Sequence, residues 1–131
     1  MKQATIQRTR GFRFSVVDAV ALAAFGGFAI LMFKAGSTLW WLLLIAAGHF
    51  FLFCNVFRVV RRLELIWAGL FVLNVAIWAW LERAYWLLIL LCQMPATLAV
   101  IIATLKSARY HGILAKRLNP GLHDYLEGRL Q

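Results

Sequence analysis

Three polar side chains fall near the centres of long apolar runs: His49 in GHFFLFCNVF, Asn74 in LFVLNVAIW and Gln93 in LLCQMPATL. A neutral imidazole offers one donor and one acceptor, and each carboxamide offers both kinds. A polar group in hydrocarbon without a partner costs several kcal/mol, roughly, so the three are expected to turn inward and satisfy one another. As glue, each such bond contributes about 0.6–2 kcal/mol. As a site, they would bind a small polar substrate at mid-depth. Thr97, four residues after Gln93, extends the polar side, and Pro95 frees the carbonyl of Leu91 beside it. A proline-interrupted helix with polar neighbours is one way transporters build a binding site. His49, Asn74, Gln93 and Thr97 are therefore the substrate-binding candidates.

A second group gathers at run edges. Asp18 and Glu64 lie in the first turns of two apolar runs, with Arg58, Arg61 and Arg62 nearby in sequence. A carboxylate there complements the helix dipole. Ion pairing and anchoring at the membrane edge is the expected role, and a proton or cation entry point the functional alternative.

Other chemistries find little support. Cys54 lies five residues from His49, which is not one helical face, so a nucleophile–base pair is not expected. Cys54 and Cys92 form neither a CxxC nor a Cys/His metal spacing, and no metal site is expected. The only midplane histidine is His49, whereas b-type haem often takes two. A haem or a quinone among the aromatic residues is the remaining enzyme-like reading, and the cofactor is left unknown.

The elements that must hold these residues are read from length and apolarity. Hydrophobic residues make up 63% of the 131 and aromatics 15%. A soluble core could not absorb that surplus, so it must face lipid. The runs 16–33, 39–57, 63–81 and 84–105 each approach the ~20 residues that cross a hydrocarbon core. Links this short make neighbours antiparallel, so the expected fold is all-α: an integral membrane four-helix up-down-up-down bundle. The first run is too long for a cleavable signal and is read as a retained helix.

By the helical rise, His49 lies about 15 Å from the outer boundary, Asn74 about 16 Å from the inner and Gln93 roughly 13 Å from the outer. The three share one depth.

Orientation follows from charge. Twelve of the fourteen Lys and Arg residues lie before the first run, between the second and third, or after the fourth, leaving Lys34 and Arg83 on the other side. Positive charge marks the cytoplasm, so both termini are expected inside. Trp40, Trp41, Trp78, Trp80, Tyr85 and Trp86 gather at the outer boundary, where amphipathic rings favour the interface. The net charge of +9 is distributed as topology signals rather than as one stripe, so nucleic acid is not an expected partner. Anionic lipid headgroups are.

Flanking the transmembrane domain at 16–105 are a basic N-terminal arm at 1–15 and a basic, amphipathic tail at 106–131. Lys106 to Leu118 is expected to prolong the fourth helix. Asn119-Pro120-Gly121 then turns the chain. Leu122, Tyr125, Leu126 and Leu130 face away from Asp124, Glu127 and Arg129, as in a short amphipathic helix on the membrane surface or on a partner.

Ser15, Ala19, Ala23 and Gly27 form a ridge of small residues, one every four, and Ala99 and Ala103 repeat the spacing. Such ridges let helices approach closely in lipid, within one chain or between copies. The expected function is an interaction or accessory subunit of a bacterial inner (plasma) membrane, with a membrane-protein partner or a homo-oligomer. A small oligomeric transporter or channel and a membrane enzyme are the alternatives.

Overall fold

The computed structural model describes residues 10–127 and 129; Lys2, Arg8 and Leu130 lie outside them. Among the described residues every regular element is helical. Four are long and apolar enough to cross a membrane: α1 (Val16–Lys34), α2 (Trp40–Phe51) continued by a π-helical turn (Leu52–Phe57), α3 (Arg61–Trp80) and α4 (Trp86–Leu105). Two short helices follow, α5 (Ala115–Leu118) and α6 (Leu122–Leu126).

A reciprocal cap starts α1. The Asp18 amide donates to Ser15 Oγ at 3.3 Å, and the Ser15 amide and hydroxyl each donate to Asp18 Oδ2 at 2.7 Å. Ser-x-x-Asp thus closes a capping box, satisfying donors that a helix start leaves orphaned. Ser15 serves the cap rather than the small-residue ridge.

α1 packs on α2 and α3 on α4, while α2 and its π turn meet α4. The ridge on α1 does not make its contact. Ala19, Ala23 and Gly27 are exposed, whereas Phe25 packs on Phe50 and Ala29 alone in the helix is buried. Ala99 and Ala103 on α4 are likewise exposed. Within this chain α1 packs through other positions, Phe25 and Ala29 among them.

The second long helix does not end as a plain α-helix. Its last six residues widen to π, and Arg58 adopts the left-handed conformation at φ 51. The Val59 amide then reaches back to Phe53 O at 2.8 Å, closing the end as a Schellman turn does. Carbonyls freed at this end are taken by distant segments. The Arg13 amide donates to Asn55 O at 3.2 Å and the Ile113 amide to Val56 O at 3.1 Å.

The tail departs from expectation. α4 stops at Leu105 instead of continuing to Leu118, and the chain folds back under the π turn. Tyr110, Ala115 and Leu122 form a small core against Phe57, Leu105 and Leu126. The apolar side of α6 is therefore spent on its own chain. Asn119 pins the fold-back: its Nδ2 donates to Ala108 O at 2.7 Å and Tyr110 O at 2.9 Å, and its Oδ1 accepts from the Gly121 amide at 3.0 Å. Burial raises the Tyr110 hydroxyl above its usual range, and that hydroxyl donates to Ile113 O at 2.6 Å. Three segments far apart in sequence thus meet at one end: the arm, the π turn and the tail.

Candidate functional site

The polar residues of the apolar runs are joined by hydrogen bonds, but not in the expected pairs. Asn74 and Gln93 do meet: Asn74 Nδ2 donates to Gln93 Oε1 at 3.2 Å and to Ile89 O at 2.9 Å. Gln93, 2% exposed, sends its own Nε2 to the carbonyl of Trp67 at 3.3 Å. His49 pairs with neither amide. Its partner is Thr97, whose Oγ1 stands 3.2 Å from His49 Nε2.

Trp67 is the residue that sequence reasoning missed. Its indole Nε1 donates to Thr97 Oγ1 at 2.9 Å, so one hydroxyl joins α2, α3 and α4. The indole stacks between the His49 imidazole, with ring centroids 4.4 Å apart, and the Phe71 ring at 5.2 Å. Phe53 closes edge-on against both Trp67 and His49. Rings thus bridge α2 and α3, beside an opening of about 200 Å³ that Phe53, Trp67 and Phe71 help to line. A tryptophan four residues into an apolar run reads as one more interfacial anchor, and only its rotation toward α2 distinguishes it.

Proton positions follow from the acceptors. His49 Nδ1 lies 2.9 Å from Ile45 O, and a carbonyl only accepts, so Nδ1 carries a proton. In the neutral ring Nε2 is then an acceptor and Thr97 donates to it. If the ring gains a second proton, Nε2 donates to Thr97 Oγ1 instead. The Thr97 hydroxyl can then turn to Gln93 O, 3.2 Å away. One rotating hydroxyl satisfies the ring in either state.

This gives a direct test. Thr97→Val removes the acceptor of a buried indole N–H and should cost about 1–2 kcal/mol. Adding Trp67→Phe removes that N–H as well and should recover much of the loss. Thermal midpoints of the wild type, both singles and the double in detergent measure the coupling; strictly additive losses would mean that the bond contributes nothing.

At the edge, the carboxylates do not pair with Arg61 or Arg62. Asp18 is spent on the capping box, and Glu64 Oε1 accepts from Cys54 Sγ at 3.5 Å. Arg61 and Arg62 are exposed, whereas Arg58 is half-buried, and desolvation lowers the proton affinity of its guanidinium. Ion pairs form instead in the tail, Arg129 with Glu127 at 2.6 Å and with Asp124 at 3.4 Å, and His123 Nδ1 stands 3.1 Å from Glu127 Oε1. Arg13, Ser15, Asp18, Cys54 and Arg58 line a cavity of about 330 Å³. Next to Cys54 in the chain stands Asn55, 1% exposed. Neither Asn55 Oδ1 nor Nδ2 reaches hydrogen-bonding geometry with another described residue. The signal that singled out His49, a polar residue within the run 39–57, was present for Asn55 too.

No family model, curated protein or solved structure matches the chain.

Proposed function

We propose that the protein is a four-pass integral membrane protein, with its helices running up and down in turn and both ends cytoplasmic, and that it works as an interaction or accessory subunit. The observation that carries this reading is a division of labour between faces. His49, Thr97, Gln93 and Asn74 are spent on one another, on Trp67 and on backbone carbonyls. The small-residue ridges, which suit close helix contact in lipid, face away from the rest of the chain. A methyl group added at Gly27 would meet nothing within 4 Å, so that surface is open to another helix. The occupant is a partner's transmembrane helix or a second copy.

Photo-crosslinking in native membranes tests the reading. A crosslinker at position 23 should capture a second polypeptide, while one at position 25, aimed at Phe50, should react only within the chain. Gly27→Leu should abolish the first adduct without lowering the thermal midpoint. Failure of crosslinkers at 19, 23, 27, 99 and 103 to reach any other chain would overturn the proposal.

The orientation has its own test. In a Cys54→Ala, Cys92→Ala background, an impermeant maleimide applied to intact cells should label Ser37→Cys and leave Gln3→Cys untouched. Labelling at position 3 would reverse the topology.

A midplane transport site is the second reading, favoured by a shallow groove of about 320 Å³ where Asn74 and Gln93 meet Trp78 and Cys92. Transport in reconstituted vesicles, lost in a well-folded Asn74→Leu, Gln93→Leu variant, would select it.

A further inference from the structure

We propose that the cleft between the N-terminal arm and the tail is a binding site for a phosphate-bearing anion, and that the phosphate belongs to the headgroup of an anionic phospholipid. The cleft, about 470 Å³, is lined by Arg10, Gly11, Gly112, Ala115, Lys116 and Arg117, with Leu114 at its lip. That volume lies within the range of about 300–1,000 Å³ typical of small-molecule sites.

Its charge is of one sign. Arg10 comes from one end of the chain and Lys116 and Arg117 from the other, and no carboxylate of the described residues lines the space. Among the described residues none of the three cations forms an ion pair, and the tail carboxylates Asp124 and Glu127 are engaged by Arg129 and His123. Like charges gathered without a counter-charge repel, and an anion between them relieves that cost. Arginine's planar fork matches phosphate oxygens in pairs, while lysine adds a point charge.

The floor is built rather than incidental. The Gly11 amide donates to His111 O at 2.8 Å, tying arm to tail. Gly112 and Ala115 are buried, so the cations stand on a packed base. Gly112 itself lies against the carbonyls of Val56 and Phe57.

The lip favours lipid over free phosphate. Leu114 is 62% exposed beside the cations, held there in the left-handed conformation at φ 57, and Leu118 is also exposed. Leucines projecting next to cations, at the end where the apolar helices stop, match the boundary between acyl chains and headgroups. The choice of lipid as the source rests on the membrane reading above; the phosphate chemistry does not.

The test is native mass spectrometry of the full chain released from phosphatidylcholine nanodiscs made with or without phosphatidylglycerol. The wild type should retain phosphatidylglycerol. The triple variant Arg10→Gln, Lys116→Gln, Arg117→Gln should retain it at least about tenfold more weakly. A control variant, Arg61→Gln, Arg62→Gln, removes two exposed cations elsewhere on the same end and should bind as the wild type does. Unchanged thermal midpoints establish that all three are folded. Equal retention by wild type and triple variant would overturn the site, and equal loss in the control would reduce it to diffuse attraction and overturn it too. Inorganic phosphate added before release separates the sources: failure to displace the lipid supports the headgroup, whereas ready displacement moves the assignment to a soluble phosphate. The crosslinks of the α1 ridge read a different face, so either proposal can fail alone.

Discussion

Trp67→Ala should destabilise the protein by about 3–5 kcal/mol, the range for deleting a large buried aromatic. The indole bridges α2 and α3, stacked on His49 and Phe71 and met edge-on by Phe53. Offset and edge-on ring pairs contribute about 0.5–1.5 kcal/mol each beyond their burial. Removing the side chain also leaves the Thr97 hydroxyl without its donor. Trp67→Phe keeps most of the ring volume and loses chiefly the N–H bond, so its cost should be smaller by 2 kcal/mol or more, roughly, as for partial against full truncation. Denaturation in detergent or nanodiscs, followed through the remaining tryptophans, provides the comparison. If alanine and phenylalanine cost the same, the rings between α2 and α3 are not what joins them.

Gly112→Ala should release the tail while leaving the four long helices in place. An added Cβ would lie 2.8 Å from the carbonyl oxygens of Val56 and Phe57 and 2.9 Å from Tyr110 Cε2. Two of those atoms are backbone at the end of a helix and cannot turn aside. Overpacking of this kind costs about 1–3 kcal/mol, all of it falling on the contact that holds the fold-back. Limited proteolysis between Lys106 and Asn119 should accelerate by about tenfold for each 1.4 kcal/mol lost. The thermal midpoint of the long helices should shift little, because Trp67 and its partners lie in another cluster. Unchanged proteolysis would mean that the tail docks without this close approach.

Neither substitution rests on a feature that could be foreseen, although the frame around both could be. Four helices long and apolar enough to cross a membrane are written in the run lengths and in the short links of Lys34 to Thr38, Arg58 to Arg62 and Glu82-Arg83. Segment hydrophobicity and charge are sums along the chain, so they can be read without knowing any contact. The start of α1 was equally local, although Ser15 was read as part of the small-residue ridge: Ser15 and Asp18 are three residues apart, and their reciprocal bonds need nothing beyond one turn.

What was not legible depends on rotation and on chain reversal. Depth along a helix can be counted, and it correctly placed Asn74 near Gln93. Which way each helix turns cannot be counted. That rotation gave His49 to Thr97 rather than to an amide, made Trp67 the centre of the ring stack, and turned Ala19, Ala23 and Gly27 outward. With apolar residues on every side of each helix, no hydrophobic stripe marks an inner face; shape and a few hydrogen bonds choose it. The tail reverses for a similar reason. A helical continuation through Leu118 satisfies local propensity, but it would leave Tyr110, Ala115 and Leu122 without their packing partners and the Val56 carbonyl without the Ile113 amide. By itself the sequence determined how many long helices form and where charge breaks them. Only the tertiary structure decided which faces meet, because non-local contacts repay a backbone conformation that no neighbour in sequence requests.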